Sequence, residues 1–226
     1  MQVTRIYSNE AFIKQIEAYN SRMSLGYSIS SIEDAPFDTI NQLLHDSFQE
    51  RLANNLNFDC ASFTDAEYKE KASIGNIITI WDDDILVGTV YLGVHRRFSF
   101  IKCGFHEYLA VKSDNKNLGI GTMLQDVVVN VAKALNLDIL LSSTAIPAIS
   151  SVNWHKKNGF IPYKITSYEG RNYSSYNFIK PVSKGIVSYL LRIIAPIVLF
   201  IKKMPYKAEF KAGCQPAVKV PQGGKV

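Results

Sequence analysis

The segment from Tyr108 to Leu124 constrains the fold more than any other part of the chain. It begins as a short apolar run, passes through a polar turn and then opens a stretch of helical periodicity at Gly119 and Gly121. Glycines at the start of a helix leave backbone N–H groups uncovered, and these groups form a cradle for an anion such as a pyrophosphate. The spacing is neither a Walker loop nor a dinucleotide GxGxxG motif, since position 124 is leucine. The same two glycines are equally typical of a plain turn or a packing contact.

Periodicity along the rest of the chain predicts a series of β and α elements. Their order is a strand, two helices, three strands, a helix, a strand, a helix and two strands. Hairpins combined with strand–helix–strand crossovers imply an α/β fold, in which helices flank one twisted, mixed and mainly antiparallel sheet. The predicted strands cover residues 27–32, 76–81, 85–94, 107–112, 138–142, 160–168 and 173–179, and the predicted helices cover 34–54, 65–72, 119–135 and 148–158.

Charge separates a main domain from a basic tail. Residues 181–226 hold eight of the 25 lysines and arginines and one acid, Glu209. The tail therefore carries +7 and residues 1–180 carry −2, which together give the net charge of +5. The rest of the chain is slightly acidic, which argues against a nucleic-acid partner; the nearest basic cluster is 95–97. We therefore expect an N-terminal extension at 1–24 (a strand and a helix), a main domain at 25–180, and a tail at 181–226.

The three cysteines, Cys60, Cys103 and Cys214, are far apart in the sequence. No pair of cysteines or histidines has the spacing of metal ligands, so we expect neither a disulfide framework nor a metal site. The first nine residues are polar and lack the apolar core of a signal peptide. A cytoplasmic location is the simplest interpretation.

A second motif supports the glycine turn. HKKNGF, from His155 to Phe160, has the form of a glycine-capped helix end that enters a strand. Together with KNLGIG (116–121) and ILVGTVY (85–91), this motif resembles the GNAT superfamily of acetyl-CoA-dependent N-acetyltransferases. That family has Q/R-x-x-G-x-G/A at the turn and Y-x-K-x-G-F at the helix end. The resemblance covers about residues 26–180.

The resemblance implies a donor and a place for it. Acetyl-CoA would lie in a splay between the strands predicted at 107–112 and 138–142. Its thioester carbonyl would face a backbone N–H of the first strand, and the acceptor amine would attack directly without a covalent enzyme intermediate. The implied donor contacts are Leu109, Ala110 and Val111 for the pantetheine arm, and Lys116, Asn117, Leu118, Gly119, Ile120, Gly121 and Thr122 for the pyrophosphate.

The sequence departs from the family pattern at three positions. Lys116 replaces the first residue of the turn but still supplies a cation, whereas Ala148 replaces an asparagine that often contacts the cofactor. His155 replaces the tyrosine that usually protonates the departing thiolate, and an imidazolium can take that role. For the general base, Glu107 leads, with His106 and an ordered water chain as alternatives.

No motif in the sequence identifies the acceptor. A small amine, for instance an amino sugar nucleotide, is the favoured acceptor, and protein amines or hydroxyls are alternatives. A non-catalytic acyl-CoA-binding module is the rival interpretation. Four tyrosines of the last predicted strands are candidates for the acceptor wall: Tyr163, Tyr168, Tyr173 and Tyr176.

The tail contains a hydrophobic helix predicted at 186–201. It would be about 24 Å long, shorter than a hydrocarbon core of ~30 Å. Arg192 and Pro196 interrupt it, and the basic residues of 184–203 suit an anionic membrane surface, including the inner face of a membrane. The alternatives are docking on the domain, docking on a second subunit in a homodimer, and a true membrane span.

Overall fold

The computed structural model describes residues 27–30, 36–53, 56, 60, 63–72, 75–97, 101–168, 171–183 and 189–200. The strand and helix predicted in the extension at 1–24, and the tail beyond residue 200, lie outside these described residues. Within the described residues, the predicted order of strands and helices is confirmed, with one additional 3-10 turn at Ser113–Asn115.

Seven strands form one mixed sheet, as the periodicity predicted. The strands are β1 (Tyr27–Ser30), β2 (Gly75–Asp82), β3 (Ile85–Arg97), β4 (Ile101–Val111), β5 (Ile139–Ala145), β6 (Ile161–Ser167) and β7 (Ser174–Pro181). Their spatial order is β1-β2-β3-β4-β5-β7-β6. Every neighbouring pair is antiparallel except β4 and β5, which run parallel because a helical crossover joins them.

Helices cover both faces of the sheet. The described helices are α1 (Phe37–Ala53), α2 (Asp65–Ala72), α3 (Ile120–Ala134), α4 (Ile149–Lys157) and α5 (residues 189–200). The helix α2 begins at a capping box, in which Thr64 Oγ1 accepts from the Glu67 N–H at 3.2 Å and Glu67 Oε2 accepts from the Thr64 N–H at 2.8 Å. The start of α3 has no side-chain cap, since Gly119 occupies the N-cap position.

Strand alternation divides the core between the two faces. Ile78 packs with α3 and α4 on one face, whereas its neighbour Ile77 packs with α1 and α2 on the other. In the same way Leu140 lies with α3, and Leu141 lies on the opposite face with α5. Of the apolar positions predicted at helical spacing on α1 and α3, Met123 and Leu135 are half-buried. The others are buried: Ile40, Leu43, Leu44, Phe48, Leu124, Val127, Val128 and Val131.

Three strands extend three or more residues beyond their predicted bounds, and one of them is β3, which continues to Arg97 rather than ending at Val94. The strand β4 starts at Ile101, six residues before the predicted start at Glu107, and β5 continues to Ala145 rather than ending at Ser142. The glycine at 104 weakens the strand pattern in the sequence, but the sheet requires it. A Cβ there would lie 2.7 Å from Leu140 Cδ2 and 3.0 Å from Leu137 Cδ1. Close packing against β5 and the connection that leads into it therefore outweighs the poor β propensity of this segment.

The helix α5 docks on the sheet and keeps an apolar outer face. Its residues Leu191 and Ala195 pack with Ile101, Ile139 and Ile179. Six large apolar side chains point away from the sheet and are 45–67% exposed: Tyr189, Leu190, Ile193, Ile194, Ile197 and Phe200. The described helices include none that is long and apolar enough to cross a membrane.

Candidate functional site

The strands β4 and β5 part after three residue pairs. Cys103, Gly104 and Phe105 pair with residues 139–141, and beyond them the two strands diverge. At the branch point, Ser142 Oγ donates to the His106 carbonyl at 2.8 Å. The Ser142 side chain therefore replaces the backbone hydrogen bond that a fourth residue pair between β4 and β5 would have made. The cleft opens beyond this bond.

A β-bulge shapes the β4 side of this cleft. Tyr91 pairs with Glu107 and Thr89 pairs with Ala110, so β4 carries one more residue than β3 between these pairs. Tyr108 at the bulge has a positive φ of 52°, which is unusual for a non-glycine residue. A bulge removes backbone groups from the ladder and redirects them. This one does so where β5 has already diverged.

The glycine turn closes one end of the cleft. Gly119 has φ = 90°, and a Cβ built there would meet nothing within 4 Å. Asn117 before it also has a positive φ, of 67°. Gly121 lies against α4, where a Cβ would be 3.3 Å from Trp154 Nε1. The backbone that leads into α3 is therefore left-handed at Gly119 and leaves room for a ligand there. The first turn of α3 contains no acidic residue that would repel an anion.

A cavity of about 410 Å³ runs between the diverging strands. Of the residues predicted for the site, His106, Glu107, Leu109, Asn117 and His155 line it. The other predicted contacts belong to the end of β4 and to the turn leading into α3, both adjoining the cavity: Ala110, Val111, Lys116, Leu118, Gly119, Ile120, Gly121 and Thr122. The segment 106–117 and the helix that carries His155 therefore both contribute residues to this cavity.

His155 lies at the base of the cavity with both ring nitrogens in hydrogen bonds. Nδ1 is 2.7 Å from the Ser151 carbonyl oxygen, and Nε2 is 2.9 Å from Ser142 Oγ. The ring stacks on Phe178 with centroids 4.7 Å apart, and only 5% of the residue is exposed. The helix α4 and the strand β5 together fix its orientation.

His106 is enclosed in the core beside His155. Its ring stacks on Trp154 at 5.8 Å, and its Nε2 has no hydrogen-bond partner within the protein. Burial, with a further contribution from His155, lowers the pKa of His106 to about 3. The imidazole is therefore neutral at physiological pH and is a weak acceptor for a proton from an ammonium group. Glu107, half-buried on the cavity wall, is better suited to that role.

The tyrosines expected to form an acceptor wall are placed differently from one another. Tyr173 lines the cavity, and its hydroxyl accepts from Arg171 Nη1 at 2.8 Å. Tyr168 is 41% exposed beneath the Arg171 guanidinium, outside the cavity lining. Tyr163 packs in the cluster that α5 covers, and Tyr176 packs against the opposite core. The expectation is wrong for these three, because strand alternation and the hairpin tip direct them elsewhere.

The cavity also contains polar residues that the sequence did not single out. Several hydroxyls from the end of β5 and from α4 line it: Ser142, Ser143, Thr144, Ser150 and Ser151. The sequence feature that could have indicated them is the run of three hydroxyl residues, 142–144, at the end of an apolar strand. The described residues contain no cluster of His, Cys, Asp or Glu that could hold a metal ion, and Cys60 and Cys103 are buried free thiols.

Comparison with known proteins agrees with this architecture. A model of the acetyltransferase (GNAT) family matches residues 37–160, more than half of the chain. No curated protein sequence matches the chain.

Solved structures with a similar fold include the following three. One is from the NatC complex bound to Gag peptide and CoA, with a TM-score of 0.57 and 15% identity, covering 70% of this chain and all of that one. Another is yncA of Salmonella typhimurium with acetyl-CoA, with a TM-score of 0.57 and 13% identity, covering 71% and 96%. The ribosomal-protein-S18-alanine N-acetyltransferase of Escherichia coli has a TM-score of 0.54 and 11% identity, covering 70% and 96%. At these identities the likeness is one of fold.

Proposed function

Because the chain belongs to the acetyltransferase (GNAT) family, we propose that it transfers an acetyl group from acetyl-CoA to the amine of an acceptor. The observation that carries this proposal is the edge of β4 between the bulge at Tyr108 and the turn at Gly119, which β5 leaves uncovered. An extended molecule can add to such an edge as a further strand while its pyrophosphate reaches the start of α3.

Three features of the cleft fit acetyl-CoA. The backbone of Leu109–Val111 forms the edge that would pair with the pantetheine arm. The open approach at Gly119 would admit the pyrophosphate, and Lys116 would supply a cation close by. Backbone N–H groups of β4 beside the bulge at Tyr108 would donate to the oxygen of the reacting thioester. Two of the similar structures contain this ligand or CoA.

The proposed reaction is a direct attack of the amine on the thioester. Glu107 removes the proton from the incoming ammonium group, either directly or through a water molecule. Backbone N–H groups near the bulge stabilise the oxyanion of the tetrahedral intermediate. The leaving thiolate needs a proton, and His155 at the base of the cavity is the proposed source.

A small amine is the acceptor that we favour. The cavity is bounded by Phe48 and Cys60 on the α1 side and by Arg171 and Tyr173 at the β6–β7 hairpin. A cavity of this size is typical of a small-molecule site. A protein N-terminus is the alternative, since two of the similar structures are a NatC complex with a peptide and an enzyme named for a ribosomal protein. A hydroxyl acceptor and a non-catalytic binding module complete the alternatives.

Calorimetric titration with acetyl-CoA tests the donor. We expect a Kd on the order of micromolar. The substitution Gly119→Leu should weaken binding by about tenfold or more, since a side chain would enter the open approach to α3.

Gly159→Leu is the matched control. Gly159 has a similar φ of 76° and equally open surroundings, so the backbone strain is comparable, but it lies at the end of α4. Equal effects of the two substitutions, or no binding by the wild type, would remove the donor proposal. Binding without turnover across a panel of amines, protein N-termini and alcohols would favour the non-catalytic module.

We also propose that α5 contacts an anionic membrane surface. Its inner side is docked on the sheet, so the six exposed apolar side chains on its outer side form a face without a partner among the described residues. The +7 charge of residues 181–226 complements anionic lipid. The same charge on two tails would repel a second copy at this face.

Flotation with vesicles tests the membrane contact. The protein should float with vesicles containing phosphatidylglycerol and not with pure phosphatidylcholine. Ile197→Glu should abolish flotation, whereas Ile85→Glu, at a residue that is also 52% exposed, should not. A dimer that Ile197→Glu disrupts, with no flotation by the wild type, would identify a second copy as the occupant instead.

A further inference from the structure

Ser142 and His155 are joined by a hydrogen bond at the wall of the cavity. Ser142 Oγ is 2.9 Å from His155 Nε2 and 2.8 Å from the His106 carbonyl oxygen, at the point where β4 and β5 separate. Both Ser142 and His155 line the cavity. Because β5 positions the hydroxyl and α4 positions the imidazole, the pair is held by two elements of the fold.

The three contacts of this pair require three hydrogens. The Ser151 and His106 carbonyls can only accept, and they lie 2.7 Å from His155 Nδ1 and 2.8 Å from Ser142 Oγ. The third contact joins Nε2 to Oγ. A serine and a neutral imidazole supply two hydrogens, whereas a serine and an imidazolium supply three. The imidazolium form therefore satisfies every contact, with each N–H donating and the serine O–H donating to His106 O.

Direct proton transfer from His155 to a bound thiolate is hindered. Both ring nitrogens are already in hydrogen bonds. Aromatic rings enclose the imidazole, with centroids of Phe160 and Trp154 each 5.2 Å away and Phe178 on its face. A proton that leaves Nε2 meets Ser142 Oγ first, and Ser142 lines the cavity.

We propose that Ser142 is the residue that protonates the leaving thiolate, and that His155 is a positioning residue that resupplies the Ser142 proton. This inference rests on the proposed acetyl transfer. As the C–S bond breaks, its electron pair stays on sulfur, and the Ser142 hydroxyl turns from the His106 carbonyl and gives its proton to the sulfur. Ser142 Oγ takes the Nε2 proton of His155, which becomes neutral and keeps its Nδ1–H on Ser151 O. The proton that the acceptor amine releases balances the one consumed, and His155 is reloaded from solvent between turnovers.

The titratable groups near His155 on other elements are His106 on β4 and Lys180 on β7, whose Nζ donates to the Asn158 carbonyl at 2.7 Å. The Lys180 ammonium disfavours a second positive charge nearby, so the imidazolium depends on the three hydrogen bonds of the Ser142–His155 pair. His106 is neutral, so it adds no second positive charge beside the imidazolium. On α4 itself, Lys156 and Lys157 follow His155 and are exposed to solvent, which screens their charges.

An isosteric pair of substitutions tests the role of the hydroxyl. Ser142→Thr keeps the hydroxyl and Ser142→Val removes it at almost the same volume. We expect kcat with acetyl-CoA to fall about 100-fold in Ser142→Val and to be largely retained in Ser142→Thr. Ser167→Ala, at an exposed strand serine bonded to Ser174, is the control for the loss of a hydroxyl elsewhere.

The pH dependence of kcat and the rate with a second acetyl donor distinguish a role in proton transfer from a purely structural role of Ser142. In the wild type kcat should fall at high pH as His155 loses its proton, and Ser142→Val and His155→Gln should both lose this limb. Neither substitution should slow transfer from the S-acetyl ester of 4-nitrothiophenol, whose thiolate leaves without protonation. Equal turnover by the Thr and Val variants, with the high-pH limb intact, would overturn the role of Ser142 while leaving acetyl transfer standing. No turnover by the wild type with any amine would instead overturn the proposed function.

Discussion

Asn41 on α1 donates its side-chain amide to the Asp65 carboxylate at the start of α2, with Nδ2 and Oδ1 2.8 Å apart. The same Nδ2 donates to the Phe63 carbonyl at 2.8 Å. Asn41 is 4% exposed, so one buried amide ties together the two helices that cover this face of the sheet.

Replacing Asn41 should therefore reduce stability. We expect Asn41→Ala to lower the free energy of unfolding by about 1–2 kcal/mol, because two hydrogen bonds are lost, although the Phe63 carbonyl keeps His45 Nε2 at 3.0 Å. Urea denaturation measures the difference. Gln42→Ala, which removes an exposed 2.8 Å bond to Asp46, should cost less than about 0.5 kcal/mol. Similar losses in the two variants would contradict a special role for the buried amide.

His106 should make stability depend on pH in the acidic range. Its folded pKa of about 3 lies below the ordinary value of 6.5, so the unfolded chain binds a proton that the folded protein does not. The contribution of His106 is complete above pH 6.5 and declines as the pH falls toward 3, by about 1.4 kcal/mol per pH unit. When the pH is lowered from 7 to 5, the free energy of unfolding of His106→Phe should fall by roughly 2 kcal/mol less than that of the wild type. Parallel pH dependence in the two proteins would show that His106 is not the group responsible.

Gly104 should tolerate no side chain. A Cβ would lie within 3.1 Å of three leucine side chains, those of Leu92, Leu137 and Leu140. We expect Gly104→Ala to lower the free energy of unfolding by about 1–3 kcal/mol through overpacking. Gly119→Ala, in open space, should cost about 1 kcal/mol from its positive φ alone. A neutral Gly104→Ala would mean that the leucines move apart at little cost.

Arg171 should favour acceptors with an anionic group. Among the described residues that line the cavity it is the one lysine or arginine, and the Tyr173 hydroxyl and the flanking rings orient its guanidinium. If amine transfer is observed, kcat/KM should be higher for glucosamine 6-phosphate than for glucosamine. Arg171→Gln should reduce this preference by about tenfold without changing KM for acetyl-CoA. Lys164→Gln, at an exposed residue of β6 outside the cavity, is the control. An unchanged preference in Arg171→Gln would exclude the guanidinium as the anion contact.

The sequence predicted the order of elements and the glycine turn because both depend on local patterns. Helical periodicity placed Leu124 and Val128 in the core, and the spacing of Gly119 and Gly121 marked the start of α3. The first half of β4 was missed, since Gly104 is explained by packing against leucines that are distant in sequence. Local pattern contains no information on such contacts.

The site was predicted less completely than the fold. The sequence pointed to His155 as a proton donor, but its partner Ser142 comes from another strand and meets it across a βα connection. The alternation that faces Tyr163 toward α5 and Tyr176 toward the opposite core depends on register, which a one-residue shift would reverse. Where each side chain faces was therefore set by strand pairing rather than by residue type.

The parting of β4 from β5 has a mechanical consequence. In the sheet, the four strands on the β1 side connect to the three on the β6 side through only three residue pairs, 103–105 with 139–141. Such a short seam resists shear less than a full ladder does. A donor that contacts both strands would stabilise this junction. Binding of acetyl-CoA should therefore slow amide hydrogen exchange in β4 and β5 together. The substrate would then be a structural member of the sheet for as long as it is bound.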